Sequence, residues 1–110
     1  MKDKDYTGLK KLKKSVPVEK IAGAVAEEYE VKPEEIKRVR SKWREARQIL
    51  IELSHQLNFR EKSLQELGEE LGGIGGDGIS HTHQRIQNKI KKDKKLSRRM
   101  NQIYQEIISQ

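Results

Sequence analysis

The sequence predicts an all-α protein, a bundle of about six helices. Apolar residues recur at steps of three and four along most of the 110 residues, which is the periodicity of amphipathic helices. There is little alternation of β-branched residues, and only Pro17 and Pro33 interrupt the pattern. A chain of this length is expected to form one domain with a modest core, which argues against a large multidomain enzyme.

Prolines and apolar spacing predict the first three helices. Pro17 suits the first turn of a helix, because its missing N–H would be unpaired there anyway. Pro33 and the two glutamates after it, near the positive end of a helix dipole, predict a short second helix over 33–39. A longer third helix is expected to end near Asn58. The predicted core-facing residues of the first and third helices are Val18, Ile21, Val25, Tyr29, Ala46, Ile49, Leu50, Leu53 and Leu57.

Capping residues and glycines predict the last three helices. Ser63 and Glu66 fit a capping box for the fourth helix, and Gly72-Gly73 ends it. Asp77 is the predicted N-cap of the fifth helix, and Asp93 that of the sixth. The predicted core-facing residues here are Leu64, Leu67, Leu71, Ile79, Thr82 or His83, Ile86, Ile90, Leu96, Met100, Ile103 and Ile107.

The charge balance favours a polyanionic partner. Lys and Arg total 24 against 17 Asp and Glu, a net charge of +7, which points first to nucleic acid. Residues 1–15 carry much of this positive charge and contain few apolar residues. This composition predicts a basic, disordered arm, followed by a helical domain over 16–110. No apolar run is long enough for a membrane span or signal peptide, so we expect a cytoplasmic protein without a membrane partner.

The fourth and fifth helices, over about 63–91, have the layout of a helix-turn-helix, whose second helix enters the major groove of DNA. Glutamine and asparagine can pair with adenine, arginine with guanine, and serine with either. The predicted groove contacts are Asp77, Ser80, His81, Gln84 and Arg85, with Asn88 on the same arc. The predicted phosphate contacts are Arg38, Arg40, Lys42, Arg44 and Lys89. A second basic zone comprises Lys91, Lys92, Arg98 and Arg99 with Lys89.

Over residues 16–109 the chain resembles the C-terminal DNA-binding domain of the bacterial replication initiator DnaA, and the DnaA-like tail of some REP-associated transposases. The matching segments are Val18-Glu19-Lys20-Ile21, Val25-Ala26-Glu27-Glu28-Tyr29, Val31-Lys32-Pro33-Glu34-Glu35-Ile36, Arg44-Glu45-Ala46-Arg47-Gln48, Leu64-Gln65-Glu66-Leu67-Gly68 and Leu71-Gly72-Gly73. The resemblance implies a Trp-repressor-like fold that reads duplex DNA in the bacterial nucleoid, in replication initiation or transposase targeting. It also implies that the loop from Arg40 to Arg44 adds contacts to the DNA backbone or minor groove.

One segment departs from that family. Where the initiator has a basic residue followed by Asp, His, Thr and Thr, this chain has Ile74-Gly75-Gly76-Asp77-Gly78. The alternative is therefore a helical protein-interaction module that has kept the fold without specific DNA recognition. A third hypothesis, binding of RNA or single strands, is less favoured because aromatic residues are only 5% of the chain.

Other motifs do not predict chemistry. The glycine pattern from Gly73 to Gly78 matches a dinucleotide-binding motif but follows a helix rather than the strand that motif needs. His81 and His83 are two positions apart, so on a helix they point in different directions and cannot easily share a metal ion. Trp43 is expected to pack at the edge of the core. We expect no enzymatic activity, cofactor, metal or small-molecule substrate.

Overall fold

The computed structural model describes residues 15–38, 42–59 and 61–109, and within these ranges the secondary structure is entirely helical. The six helices are α1 (Val18–Tyr29), α2 (Pro33–Lys37), α3 (Arg44–Gln56), α4 (Leu64–Glu70), α5 (Gly76–Lys92) and α6 (Lys94–Ile108). The all-α prediction is confirmed. Residues 1–14 of the predicted arm over 1–15, and Arg40, lie outside the described residues.

Helix α3 is the centre of the bundle. It packs against α1, α2 and α5 and touches α4, while α6 closes the remaining side by packing on α1 and α5. One hydrophobic cluster contains residues from all six helices. The buried stripe of α3 includes Ile49, Leu50 and Leu53, each exposed by 1% or less, as the periodicity predicted.

The predicted apolar faces are largely confirmed. Leu96, Met100, Ile103 and Ile107 are all buried along α6. Tyr29 and Ile90 are half-buried against the core rather than inside it. Leu64 is a correction: it was predicted to face the core, but it is 37% exposed because it is the first residue of α4, where the chain has only just entered the bundle.

Local capping explains where several helices start. The Ser63 hydroxyl accepts from the Glu66 N–H while the Glu66 carboxylate accepts from the Ser63 N–H, so the predicted capping box is present. Asp93 caps α6 by accepting from the Leu96 N–H, as predicted. The prediction that Asp77 caps α5 is wrong. The N-cap is Gly75, and Asp77 lies within the first turn, where its carboxylate still faces the positive end of the helix dipole.

No helix in the described part of the chain is both long and apolar enough to span a bilayer.

Candidate nucleic-acid interface

Helices α4 and α5 are joined by a short turn that closes tightly on Gly68. The carbonyl oxygen of Gly68 accepts from the N–H groups of Gly73 and Ile74, at 2.9 and 3.0 Å. A Cβ atom on Gly68 would lie 2.0 Å from the Ile74 carbonyl oxygen, so no larger residue fits without moving the backbone. Gly72 and Gly73 have φ of 96° and 87°, in the left-handed region that glycine adopts without strain.

Two further glycines let α5 approach its neighbours. A Cβ on Gly76 would lie 3.2 Å from Cβ of Leu64, and one on Gly78 would lie 3.3 Å from Cβ of Ile74. Their small size therefore lets the start of α5 pack against the start of α4 and against the turn. The glycine-rich segment is a packing element of the α4–α5 unit.

The outer arc of α5 is the hydrophilic face that turns away from the core. Its seven members are all exposed: Asp77, Ser80, His81, Gln84, Arg85, Asn88 and Lys89. On the opposite side of the same helix, Ile79 and Ile86 are fully buried. The predicted groove-contacting residues therefore lie together on one accessible surface of a 17-residue helix.

A hydrogen bond joins the outer arc to the basic start of α3. Lys89 Nζ donates to Gln48 Oε1 at 3.0 Å. Arg44 lies one turn before Gln48 on α3, so the two side chains occupy the same helix face. Arg44 is exposed, and Gln48 on the same face of α3 contacts the C-terminal half of α5 through Lys89.

Two other predicted phosphate contacts are accessible. Lys42 is exposed, and its ammonium lies over the Trp43 ring, 5.6 Å from the centroid. Trp43 itself packs against the hydrophobic cluster, as predicted. Arg38 keeps 67% of its side chain exposed and lies 3.8 Å from a Glu35 carboxylate oxygen, a weak surface pair. The fifth predicted contact, Arg40, is outside the described residues.

Two arginines, Arg47 and Arg99, contact other groups within the protein. Arg47 is buried, and its guanidinium donates to the carbonyl oxygens of Ile36 at 3.2 Å and Leu71 at 2.6 Å. Burial lowers the pKa of this guanidinium below its usual value. Arg47 therefore ties α2 and the end of α4 to α3.

Arg99 was expected in the second basic zone, but it forms a different set of contacts. It lies 3.3 Å from Glu45, 3.8 Å from Glu28 and 4.9 Å from the centre of the Tyr29 ring. Tyr29 also donates to Glu45, and burial is the main cause of the raised pKa of this phenol. Arg99 is nevertheless exposed, as are the other basic residues of that zone, Lys89, Lys91, Lys92 and Arg98.

The inward side of α5 carries a polar cluster that sequence reasoning missed. His83 was expected to be partly buried, and it is, with Nδ1 at 2.8 and 3.0 Å from the two carboxylate oxygens of Glu52. Glu52 is completely buried in α3, beside residues that were predicted to form the apolar, core-facing stripe of this helix. His55, one turn further on α3, has its ring 5.4 Å from that of His83. The signal in the sequence was the spacing of Glu52 and His55, which places both on one helix face.

These surfaces offer two kinds of chemical group, hydrogen-bonding side chains and positive charges. The outer arc offers hydrogen-bond donors and acceptors at helical spacing, and the exposed cations Arg38, Lys42, Arg44 and Lys89 offer positive charge. No known family model matches the sequence. A function for this chain therefore depends on the chemistry of these surfaces.

Proposed function

We propose that this chain binds double-stranded DNA in a sequence-specific manner, with α4 and α5 acting as a helix-turn-helix. In this proposal α5 lies in the major groove and the bundle has a Trp-repressor-like arrangement, as in the DnaA-type domains that the sequence resembles. The observation that carries the proposal is the outer arc: seven hydrogen-bonding side chains exposed on the face opposite Ile79 and Ile86.

The chemistry of the outer arc matches the edges of base pairs. Gln84 and Asn88 lie four residues apart, and each can donate to and accept from adenine N7 and N6. Arg85 can pair with guanine O6 and N7, while Ser80 and His81 supply further hydrogen bonds near the helix N-terminus. Asp77 is not needed as a cap, so its carboxylate is available to accept from the cytosine amino group.

The phosphate contacts are assigned to exposed cations on both sides of the α3–α5 seam. Lys89, in the C-terminal half of α5, bonds to Gln48 of α3, and Arg44 lies one turn before Gln48 on the same face of α3. Lys42 and Arg38 precede α3, and Arg40 lies between them in the sequence. Cations in this position would hold the duplex backbone while the first turns of α5 meet the bases.

Fluorescence anisotropy with labelled duplex DNA, single-stranded DNA and RNA tests the proposal. If all five cations neutralise phosphates, raising salt from about 50 to about 200 mM should weaken duplex binding roughly 500-fold. Arg44→Ala should weaken binding to every duplex sequence alike and make the salt dependence shallower. Lys20→Ala is the matched control, because it removes one charge from the exposed side of α1 and should leave affinity within about twofold.

The other hypotheses predict different results. Equal affinity for single strands and duplex would contradict groove recognition and favour a non-specific nucleic-acid-binding protein. Absence of binding to all three would favour the protein-interaction module. In that hypothesis Ile74 and the glycine-rich turn would dock the partner, and Ile74 is half-buried against the core.

A further inference from the structure

Three potential metal ligands meet between α3 and α5. Glu52, His55 and His83 each offer one ligand atom, and these atoms all lie within 4.8 Å of one another. Glu52 and His55 are three residues apart on α3, so one helix face presents both, and His83 approaches from α5. Two imidazoles and one carboxylate are the ligand types that zinc and similar divalent transition metals prefer.

The carboxylate of Glu52 is held in a fixed position. Gln56 Nε2 donates to Glu52 Oε2 at 2.6 Å, and Gln87 Nε2 donates to the same oxygen at 3.2 Å. The other oxygen, Oε1, lies 2.8 Å from His83 Nδ1. Hydrogen bonds that orient a ligand carboxylate in this way reduce the reorganisation needed when a metal ion enters.

His55 supplies a second, independent observation. Its Nδ1 is buried and has no hydrogen-bond partner among the described residues. An unpaired buried nitrogen is unfavourable, and coordination to a cation would satisfy it. A depression of about 520 Å³ lined by His55, Asn58, Lys62, Ser63 and Leu64 borders this side chain, and His83 is itself 40% exposed, so an ion has a route from solvent.

We propose that Glu52, His55 and His83 bind one divalent transition-metal ion of the Zn²⁺ class. The ion takes the position between His83 Nδ1 and the Glu52 carboxylate, and the imidazole that coordinates through Nδ1 is neutral, with its N–H proton on Nε2. Three protein ligands leave one coordination position for water. The site pins α5 to α3 from the inward side, and it does not depend on DNA binding by the outer arc.

The proposal changes the expectation drawn from the sequence. His81 and His83 do point apart: His81 is exposed on the outer arc, whereas His83 faces Glu52. The partner of His83 is therefore not its neighbour in sequence but a pair of residues about 30 positions away.

Isothermal titration with ZnCl₂ tests the site, using the full chain without a polyhistidine tag. We expect one Zn²⁺ per chain and a rise in Tm with excess Zn²⁺, because the ion binds only the folded protein. His55→Ala and His83→Ala should each weaken Zn²⁺ binding more than about 100-fold. His81→Ala is the matched control, since it removes the third histidine and should leave Zn²⁺ affinity unchanged.

Circular dichroism of each variant without zinc separates loss of ligand from loss of fold. Glu52→Gln is a further variant that keeps the side-chain shape and can retain hydrogen bonds to Gln56 and Gln87, while removing the anionic ligand. A folded Glu52→Gln protein with weakened Zn²⁺ binding supports the site. Absence of saturable binding to the unmodified chain would overturn it, as would affinity that survives in His55→Ala and His83→Ala or that is lost in His81→Ala.

Discussion

The two longest helices, α5 and α6, follow one another in the chain but are held in the bundle by different forces. Helix α6 buries a continuous apolar stripe at Leu96, Met100, Ile103 and Ile107. Helix α5 fully buries only Ile79 and Ile86. At neighbouring inward positions it carries His83 and Gln87, and both bond to the buried carboxylate of Glu52.

The two helices also begin differently. Asp93 caps α6 with its own side chain, directly after α5 ends. Helix α5 begins without a side-chain cap, after a turn that closes on Gly68 and is tied to α3 by Arg47. The position of α5 is thus set by close backbone approach and polar contacts in addition to the burial of Ile79 and Ile86. Its outer arc is exposed, with a hydrogen bond to α3 at Lys89. A helix held in this way has a surface available for recognition.

The largest effect should come from closing the space at Gly68. Gly68→Ala places a Cβ 2.0 Å from the Ile74 carbonyl oxygen, and we expect it to lower the free energy of unfolding by about 3 kcal/mol. Urea unfolding followed by circular dichroism measures this. Gly23→Ala is the matched control in α1, where a Cβ meets nothing within 4 Å, and it should raise stability by about 1 kcal/mol. Equal effects of the two substitutions would contradict the tight α4–α5 turn.

An intermediate effect should come from Arg47. Arg47→Met keeps much of the side-chain length but removes the donors to the Ile36 and Leu71 carbonyl oxygens, and should cost about 2 kcal/mol of stability in the same assay. Arg44→Met, on the exposed side of the same helix, should change stability by less than about 0.5 kcal/mol. If Arg44→Met were the more destabilising of the two, the separation of structural and surface arginines would be wrong.

The smallest effect concerns the two aspartates once predicted as equivalent caps. Asp93→Ala removes the acceptor for the Leu96 N–H and should lower stability by about 1 kcal/mol. Asp77→Ala removes only a favourable charge in the first turn of α5, worth about 0.3 kcal/mol for an exposed carboxylate. Thermal unfolding of both variants at low salt distinguishes them. If Asp77→Ala lowered stability as much as Asp93→Ala, the conclusion that Asp77 does not cap α5 would be wrong.

Much of the fold could be predicted because its signals are local. The capping box at Ser63 and the cap at Asp93 depend on residues three positions apart, and the stripe of α6 depends on helical spacing alone. The start of α5 was misplaced because it depends on how closely Gly76 approaches Leu64, which is a contact between helices.

The candidate sites also contain features that local spacing predicts and features that depend on contacts between helices. The outer arc followed from the period of α5, because exposure opposite Ile79 and Ile86 requires no knowledge of other helices. The role of Arg47 could not be predicted in this way, because its burial against the carbonyl groups of Ile36 and Leu71 depends on how α2 and α4 pack on α3. The Glu52–His83 contact joins residues 31 positions apart, and only tertiary packing brings them together.

Selection of bound duplexes from a random pool tests the central claim, recognition of DNA by the outer arc, most directly. The unmodified chain should enrich a defined motif, and Gln84→Ala should relax the preference at the base pairs that Gln84 contacts. Gln102→Ala, an equivalent change on the exposed side of α6, should select the same motif as the unmodified chain. A pool that stays unenriched with the unmodified chain, or a motif that Gln84→Ala selects without change, would contradict the account.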